Sequence, residues 1–163
     1  MLTEIAIVFV LIAINGVLAM SELAIVSARP GRLKTMQGRG AVTALRLADN
    51  PGRFLSTVQI GITLVGVLSG AFSGATLGAR LADWLMTQGL SEDLANTLGV
   101  GGVVVVLTYL SLIVGELVPK QLALRAPEAV AIIIARPMSW LSRAAAPLVW
   151  LLDRSSALVF HLL

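Results

Sequence analysis

The stretch FLSTVQIGITLVGVLSGAFSGATLGA, Phe54 to Ala79, carries no charged residue. As a helix it is long enough to cross a bilayer core, which takes about 20 apolar residues. Two more stretches read the same way: Ile5 to Ala28 holds one charge, Glu22, and Leu94 to Gly115 holds none. The composition agrees, with 163 residues, 57% hydrophobic and 13% charged. A soluble domain of that size cannot hide so much apolar surface, so the class is integral membrane. Helices satisfy their own backbone in lipid, and nothing here alternates as barrel strands do. The expected fold is all-α, with transmembrane helices over about 4–28, 54–80 and 94–118.

The fourth apolar region, 129–152, is cut by Arg136-Pro137, Arg143 and Pro147. No uncharged run in it reaches the roughly eighteen residues of a span. Arginine at mid-bilayer costs several kcal/mol, and proline kinks or ends a helix. Residues 120–160 are therefore expected as short juxtamembrane helices at the membrane surface, a kinked fourth span being the alternative. Residues 30–49 read as one short amphipathic helix, with Leu33, Met36, Leu45 and Leu47 toward lipid.

Charge sets the orientation. Arg29, Arg32, Lys34, Arg39, Arg46 and Arg53 separate the first two spans, whereas Arg80 and three acids separate the next two. The positive-inside rule puts the 29–53 loop and the C-terminus in the cytoplasm and the N-terminus outside. The net charge of +3 is thus topological, and a nucleic-acid partner is not expected. The chain has no cysteine, which excludes disulfides and thiolate metal sites. Its first apolar run is too long for a cleaved signal peptide.

Two acids lie in or beside the bilayer, Glu22 in MSELA and Glu116 in GELVP. An intramembrane carboxylate points to function unless it snorkels or pairs. Glu22 lies only about 10 Å of helix rise from Arg29. Beside Glu116, Pro119 has no N–H to give the Gly115 carbonyl and is expected to unwind the helix there. A freed carbonyl beside a carboxylate is hard-oxygen chemistry, suited to Mg²⁺, Ca²⁺ or Na⁺. Gly66, Gly70, Gly74 and Gly78 form a bare ridge four residues apart, expected to pack helices closely. Ser69 and Ser73 lie beside it, either back-bonded to the preceding turn or offering oxygen to an ion. Uniform helices put Ser69 roughly 10–20 Å nearer the midplane than Glu116, so spacing alone does not join them. The lone His161 lacks a metal partner in sequence. No nucleophile elbow, zincin motif or Walker loop is present, so an enzyme is not expected.

GELVPK, Gly115 to Lys120, resembles the G-E-[IL]-x-P-K signature of the CNNM/CorC membrane domain (domain of unknown function twenty-one). STVQIGITLVGVLSGAFSG, Ser56 to Gly74, resembles that family's second transmembrane helix, and AMSELAIVSA, Ala19 to Ala28, its Ser-Glu motif in the first. The resemblance covers essentially the whole chain. It implies magnesium transport, coupled to sodium and directed outward, by a homodimer in a bacterial or archaeal cell membrane. The ion site it implies is Ser21, Glu22, Ser69, Gly115 and Glu116. Ser73, Gly66 and Pro119 are further ion-pathway candidates, and Gly70, Gly74 and Gly78 are expected in dimer or helix packing. The chain departs from the family at Ala19, where serine is common, and at Ile62 and Gly66, where asparagines are common. Helix two then offers fewer side-chain oxygens. Relatives of this kind continue into CBS domains that bind ATP, so the chain resembles a membrane domain cut from a longer protein. The alternatives are a Mg²⁺ sensor or scaffold that regulates a partner, and a plain anchor.

Overall fold

A computed structural model describes residues 2–162, with side chains through residue 159. The His161 side chain lies outside the described residues. Every element among them is a helix. α1 is Leu2–Ser27, α2 Pro30–Thr35 and α3 Arg39–Asp49. α4, Gly52–Ser73, passes through a π-helical turn, Gly74–Gly78, into α5, Ala79–Thr87. α6, Glu92–Leu112, passes through a second such turn, Ile113–Leu117, into α7, Val118–Arg125. α8 is Pro127–Ala144 and α9 is Ala146–Leu162.

Three helical stretches are long and apolar enough to cross a membrane: Leu2–Ser27, Gly52–Thr87 and Glu92–Arg125. This is the expected number, but the second and third run past their expected ends. The expected ends followed the first charge or proline. The second helix instead continues past Arg80 until Gly89, at φ 93°, turns the chain back. The third passes Pro119 by widening rather than unwinding.

The chain forms two compact units: Met1–Ala19 with Ile62–Pro119, and Met20–Gly61 with Lys120–Leu163. In the first, α5 and α6 make a tight hairpin. A methyl on Gly99 would lie 2.6 Å from the Ala82 nitrogen and 2.8 Å from the Gly78 oxygen. One on Gly78 would lie 3.0 Å from the Val100 Cα. α1 meets the second π turn somewhat less tightly, since a methyl on Gly16 would lie 3.3 Å from the Val114 oxygen and one on Gly115 3.3 Å from the Ile12 oxygen. Small residues let backbones touch where lipid gives no hydrophobic drive to associate. Within this chain the glycine ridge does not pack along its whole length. Gly78 packs, a methyl on Gly74 would just reach Val100 at 3.9 Å, and Gly66 and Gly70 have nothing within 4 Å. Phe9, Val67, Val105 and Val106 stay exposed, as lipid-facing positions should. Arg80 ties α5 to the start of α1 through a 2.8 Å ion pair with Glu4.

In the second unit α3 packs on α8, so closely that a methyl on Gly40 would lie 2.7 Å from the Ile132 oxygen. Ile25, Leu33, Phe54, Val58 and Met138 are buried there. The single amphipathic helix expected over 30–49 is two. Gly38 takes φ 112°, where residues with a side chain are strained, and the helix cannot run through it. Proline acts differently from expectation in α8. Pro137 sits inside the helix, and the end comes at Ala145. Pro147 falls in the first turn of α9, where no N–H is needed.

Glu128, in the first turn of α8, accepts the Arg29 N–H at 3.4 Å and lies 3.9 Å from the Arg32 guanidinium. Its own backbone N–H, that of Arg29, and the two arginine charges hold its carboxyl below the ordinary value, against the opposing effect of burial.

Candidate cation site

The second π turn decides the local chemistry. Its backbone bonds skip one extra residue, so the Val118 N–H donates to the Ile113 oxygen, five residues back. Pro119 donates nothing, so the Gly115 carbonyl lacks the α-helical bond that residue would otherwise give. That carbonyl is not left open. The Asn15 side chain of α1 donates to it through Nδ2 at 3.1 Å. Because a carbonyl can only accept, this bond fixes which end of the amide is which. The other end, Oδ1, is buried and has no hydrogen-bond partner among the described residues. A buried acceptor without a donor is uncommon and costs on the order of 1–3 kcal/mol.

Beside it lies a cavity of about 240 Å³ within the first unit. α1 lines it with Asn15, α4 with Gly66, Ser69, Gly70 and Ser73, α6 with Thr108 and Ser111, and the π turn with Glu116. Leu11, Ile12, Val65, Val104, Leu107 and Leu112 form the rest of the wall. Ser69 and Ser73 are buried. The Ser73 hydroxyl donates to the Ser69 carbonyl at 2.6 Å and to the Gly70 carbonyl at 3.2 Å, the back-bond expected of a helical serine. Its proton is thereby committed, and its lone pairs stay free to meet a cation. Gly66 and Gly70, lacking side chains, open the α4 wall.

Three of the five expected site residues therefore fall together. Ser69 and Glu116 line one cavity despite the helix rise between them, and Gly115 sits at its edge through Asn15. Of the pathway candidates, Gly66 and Ser73 line the same cavity. Pro119 lies against α1, 3.1 Å from where a Gly16 methyl would sit. Ser21 and Glu22 belong to the second unit, Ser21 fully buried and Glu22 partly so. Asn15, Thr108 and Ser111 were not anticipated. Their signal was available: each is a polar residue inside an apolar run, but a search for charges passes over neutral amides and hydroxyls.

Among the described residues, no three acidic, histidine or cysteine side chains gather to hold a metal. The donors around this cavity are one carboxylate and several neutral oxygens.

The cyclin M transmembrane N-terminal domain model matches residues 6–163. A UPF0053 protein of Synechocystis sp. is 48% identical over 162 residues, covering 98% of this chain and 36% of that protein. A polyamine export protein of Salmonella typhimurium is 33% identical over 165 residues, covering 99% and 37%. The UPF0053 protein YhdP of Bacillus subtilis is 29% identical over 161 residues. The chain spans little more than a third of the length of these relatives. With three membrane-spanning helices and the family model matched along nearly its whole length, the chain belongs to the cyclin M (CNNM) transmembrane domain family.

Proposed function

We propose that this domain carries Mg²⁺ outward across the cell membrane, driven by Na⁺, through the cavity beside Glu116. The observation that carries the reading is the buried, donorless Oδ1 of Asn15 at a cavity whose other polar groups are all oxygens. A cation, or the water around one, would complete its bonding in a cavity where Glu116 brings a negative charge. Mg²⁺ demands oxygen, dehydrates reluctantly and commonly keeps waters while one or two carboxylates hold it. Glu116 supplies the carboxylate, and about 240 Å³ leaves space for some of the ion's water. In this scheme Na⁺ uses the same oxygens in turn, and two copies work as a homodimer.

A second reading has its own support. Polyamine export proteins stand among the relatives at 30–33% identity, and the cavity wall is largely aliphatic. An alkyl chain along Leu11, Val65 and Leu107 with its ammonium at Glu116 is the corresponding pose.

Flux into liposomes carrying the full-length protein separates these readings. Mg²⁺ flux that requires a Na⁺ gradient, with no putrescine or spermidine flux, supports Mg²⁺. The reverse pattern overturns it in favour of polyamines. Binding without flux of either overturns transport and leaves a sensor. Glu116→Gln removes the formal charge at nearly constant shape, and a contact to a charge is worth about 1.5–3 kcal/mol. Mg²⁺ affinity should fall roughly 10- to 150-fold, with flux falling alongside. Unchanged flux with the fold intact removes Glu116 from the mechanism.

A further inference from the structure

In the second unit α3 and α8 flank an open surface cavity of about 640 Å³. Arg39 and Arg46 reach it from α3, and Arg136 and Arg143 from α8. Each pair is seven residues apart, two helical turns, so each lies along one helix face. The tight contact of Gly40 on the Ile132 backbone brings the two faces together. No acidic residue lines the cavity. Among the described residues none of the four guanidinium groups has a carboxylate within ion-pair distance, although Arg32 and Arg80 in the same chain do. Four like charges converging without counter-charge is unfavourable unless an anion joins them.

The surroundings bear on which anion fits. Val42, in the cavity lining, is 60% exposed, and on α8 Ile133 and Trp140 are 75% and 70% exposed. Exposed tryptophan next to arginine marks the level where a membrane protein meets head groups. The charge distribution puts this unit on the cytoplasmic side, where the leaflet carries anionic lipid. A second cavity of about 380 Å³ shares Arg46, Ser139 and Arg143 and adds Arg53. It extends the basic surface beyond the reach of one phosphate. The Arg143 Nε donates to the Ser139 carbonyl at 3.3 Å, which holds that guanidinium along the helix. From this we propose that α3 and α8 form a binding site for the phosphate of an anionic glycerophospholipid head group, independent of the cation cavity.

The test uses the full-length protein in neutral detergent, titrated with short-chain phosphatidylglycerol, short-chain phosphatidylcholine or inorganic phosphate. Binding is read from the shift in melting temperature and from lipid retained in native mass spectrometry. Phosphatidylglycerol should raise the melting temperature and remain attached, while the other two should not. Arg46→Gln with Arg143→Gln should leave the unliganded melting point no lower than the parent's, since both side chains are exposed and lose only mutual repulsion, and lower phosphatidylglycerol affinity about thirtyfold. If that pair does not fold, Arg39→Gln with Arg136→Gln gives the same reading. Equal response to phosphatidylcholine, or a retained response in the folded variant, overturns the site. A response reproduced by inorganic phosphate alone overturns the lipid assignment in favour of a soluble phosphate.

Discussion

Replacing Asn15 by leucine separates a structural amide from an ion ligand. The substitution removes the donor to the Gly115 carbonyl, 3.1 Å away, and leaves that carbonyl unpaired. It also removes Oδ1, which is buried without a partner. One unsatisfied acceptor replaces another, each worth on the order of 1–3 kcal/mol. Stability without Mg²⁺ should therefore stay within about 1 kcal/mol of the original. Mg²⁺ binding should not survive as well. Losing an oxygen contact to a charged partner costs about 1.5–3 kcal/mol, or roughly 10- to 150-fold in affinity. At a concentration 100 times the original Kd, Mg²⁺ adds about 2.7 kcal/mol of stability. A tenfold weaker variant gains only about 1.4 kcal/mol under the same conditions, and a weaker one less. The assay is denaturant unfolding in detergent with and without Mg²⁺, paired with isothermal titration. Asn15→Asp gives the complementary result: it retains an oxygen and adds charge, so it should bind Mg²⁺ more tightly while losing stability in its absence. If Asn15→Leu loses stability without Mg²⁺ and retains the whole Mg²⁺ increment, Asn15 is only a brace and the oxygen-site argument fails.

Two other perturbations probe the frame. Gly99→Ala drives a methyl to 2.6 Å from the Ala82 nitrogen, and backbone cannot yield as a side chain can. It should cost about 1–3 kcal/mol in detergent unfolding, while Gly66→Ala, with nothing within 4 Å, should cost little. Equal stability of the two would contradict the hairpin contact. Glu128 is a carboxyl held below its ordinary value, so it stabilises the fold at neutral pH. That contribution is lost as pH drops beneath about 4.3, the unfolded value, and through the depressed folded one. The stability gap between the parent and Glu128→Gln should hold from pH 7 to about 5 and close on further acidification. A gap that widens in acid reverses the assigned sign.

The three spans were legible because uncharged runs leave the chain no other solvent. Boundaries were less so. A charge such as Arg80 does not end a helix when Glu4 can pair with it, and that partner is 76 residues away in sequence. Gly38 divides the juxtamembrane segment through a positive φ, and a glycine at that place in sequence is compatible with either conformation. The site was half legible. Glu116, Gly115 and Pro119 stand together in one motif, and their joint meaning is local. Ser69 and Glu116 meet through the crossing of helices, and a rise of 1.5 Å per residue cannot report a crossing. The glycine ridge shows the same limit. Its regular spacing suggests one role, yet Gly78 packs against Val100 while Gly70 opens a cavity. Which role each takes depends on the opposing helix.

The helix passes Pro119 without unwinding, and this sharpens the chemistry. In an unwound segment several neighbouring carbonyls and N–H groups would need partners, at several kcal/mol each in lipid. The π turn confines the disturbance to the carbonyls facing the proline. The Val114 oxygen lies where Gly16 has no side chain, so it can approach the α1 backbone. The Gly115 oxygen takes the Asn15 amide. Both carbonyls beside Pro119 thus meet α1, at a glycine and an asparagine adjacent in sequence. The consequence is mechanical. An ion that draws Asn15 Oδ1 toward Glu116 pulls on the Nδ2 bond to Gly115, and so on the π turn that carries the carboxylate. Under the proposed function, occupancy of the cavity and the winding of this turn would be coupled. A probe of the turn, such as amide hydrogen exchange at Val118, should respond to Mg²⁺ in the original protein and not in Asn15→Leu.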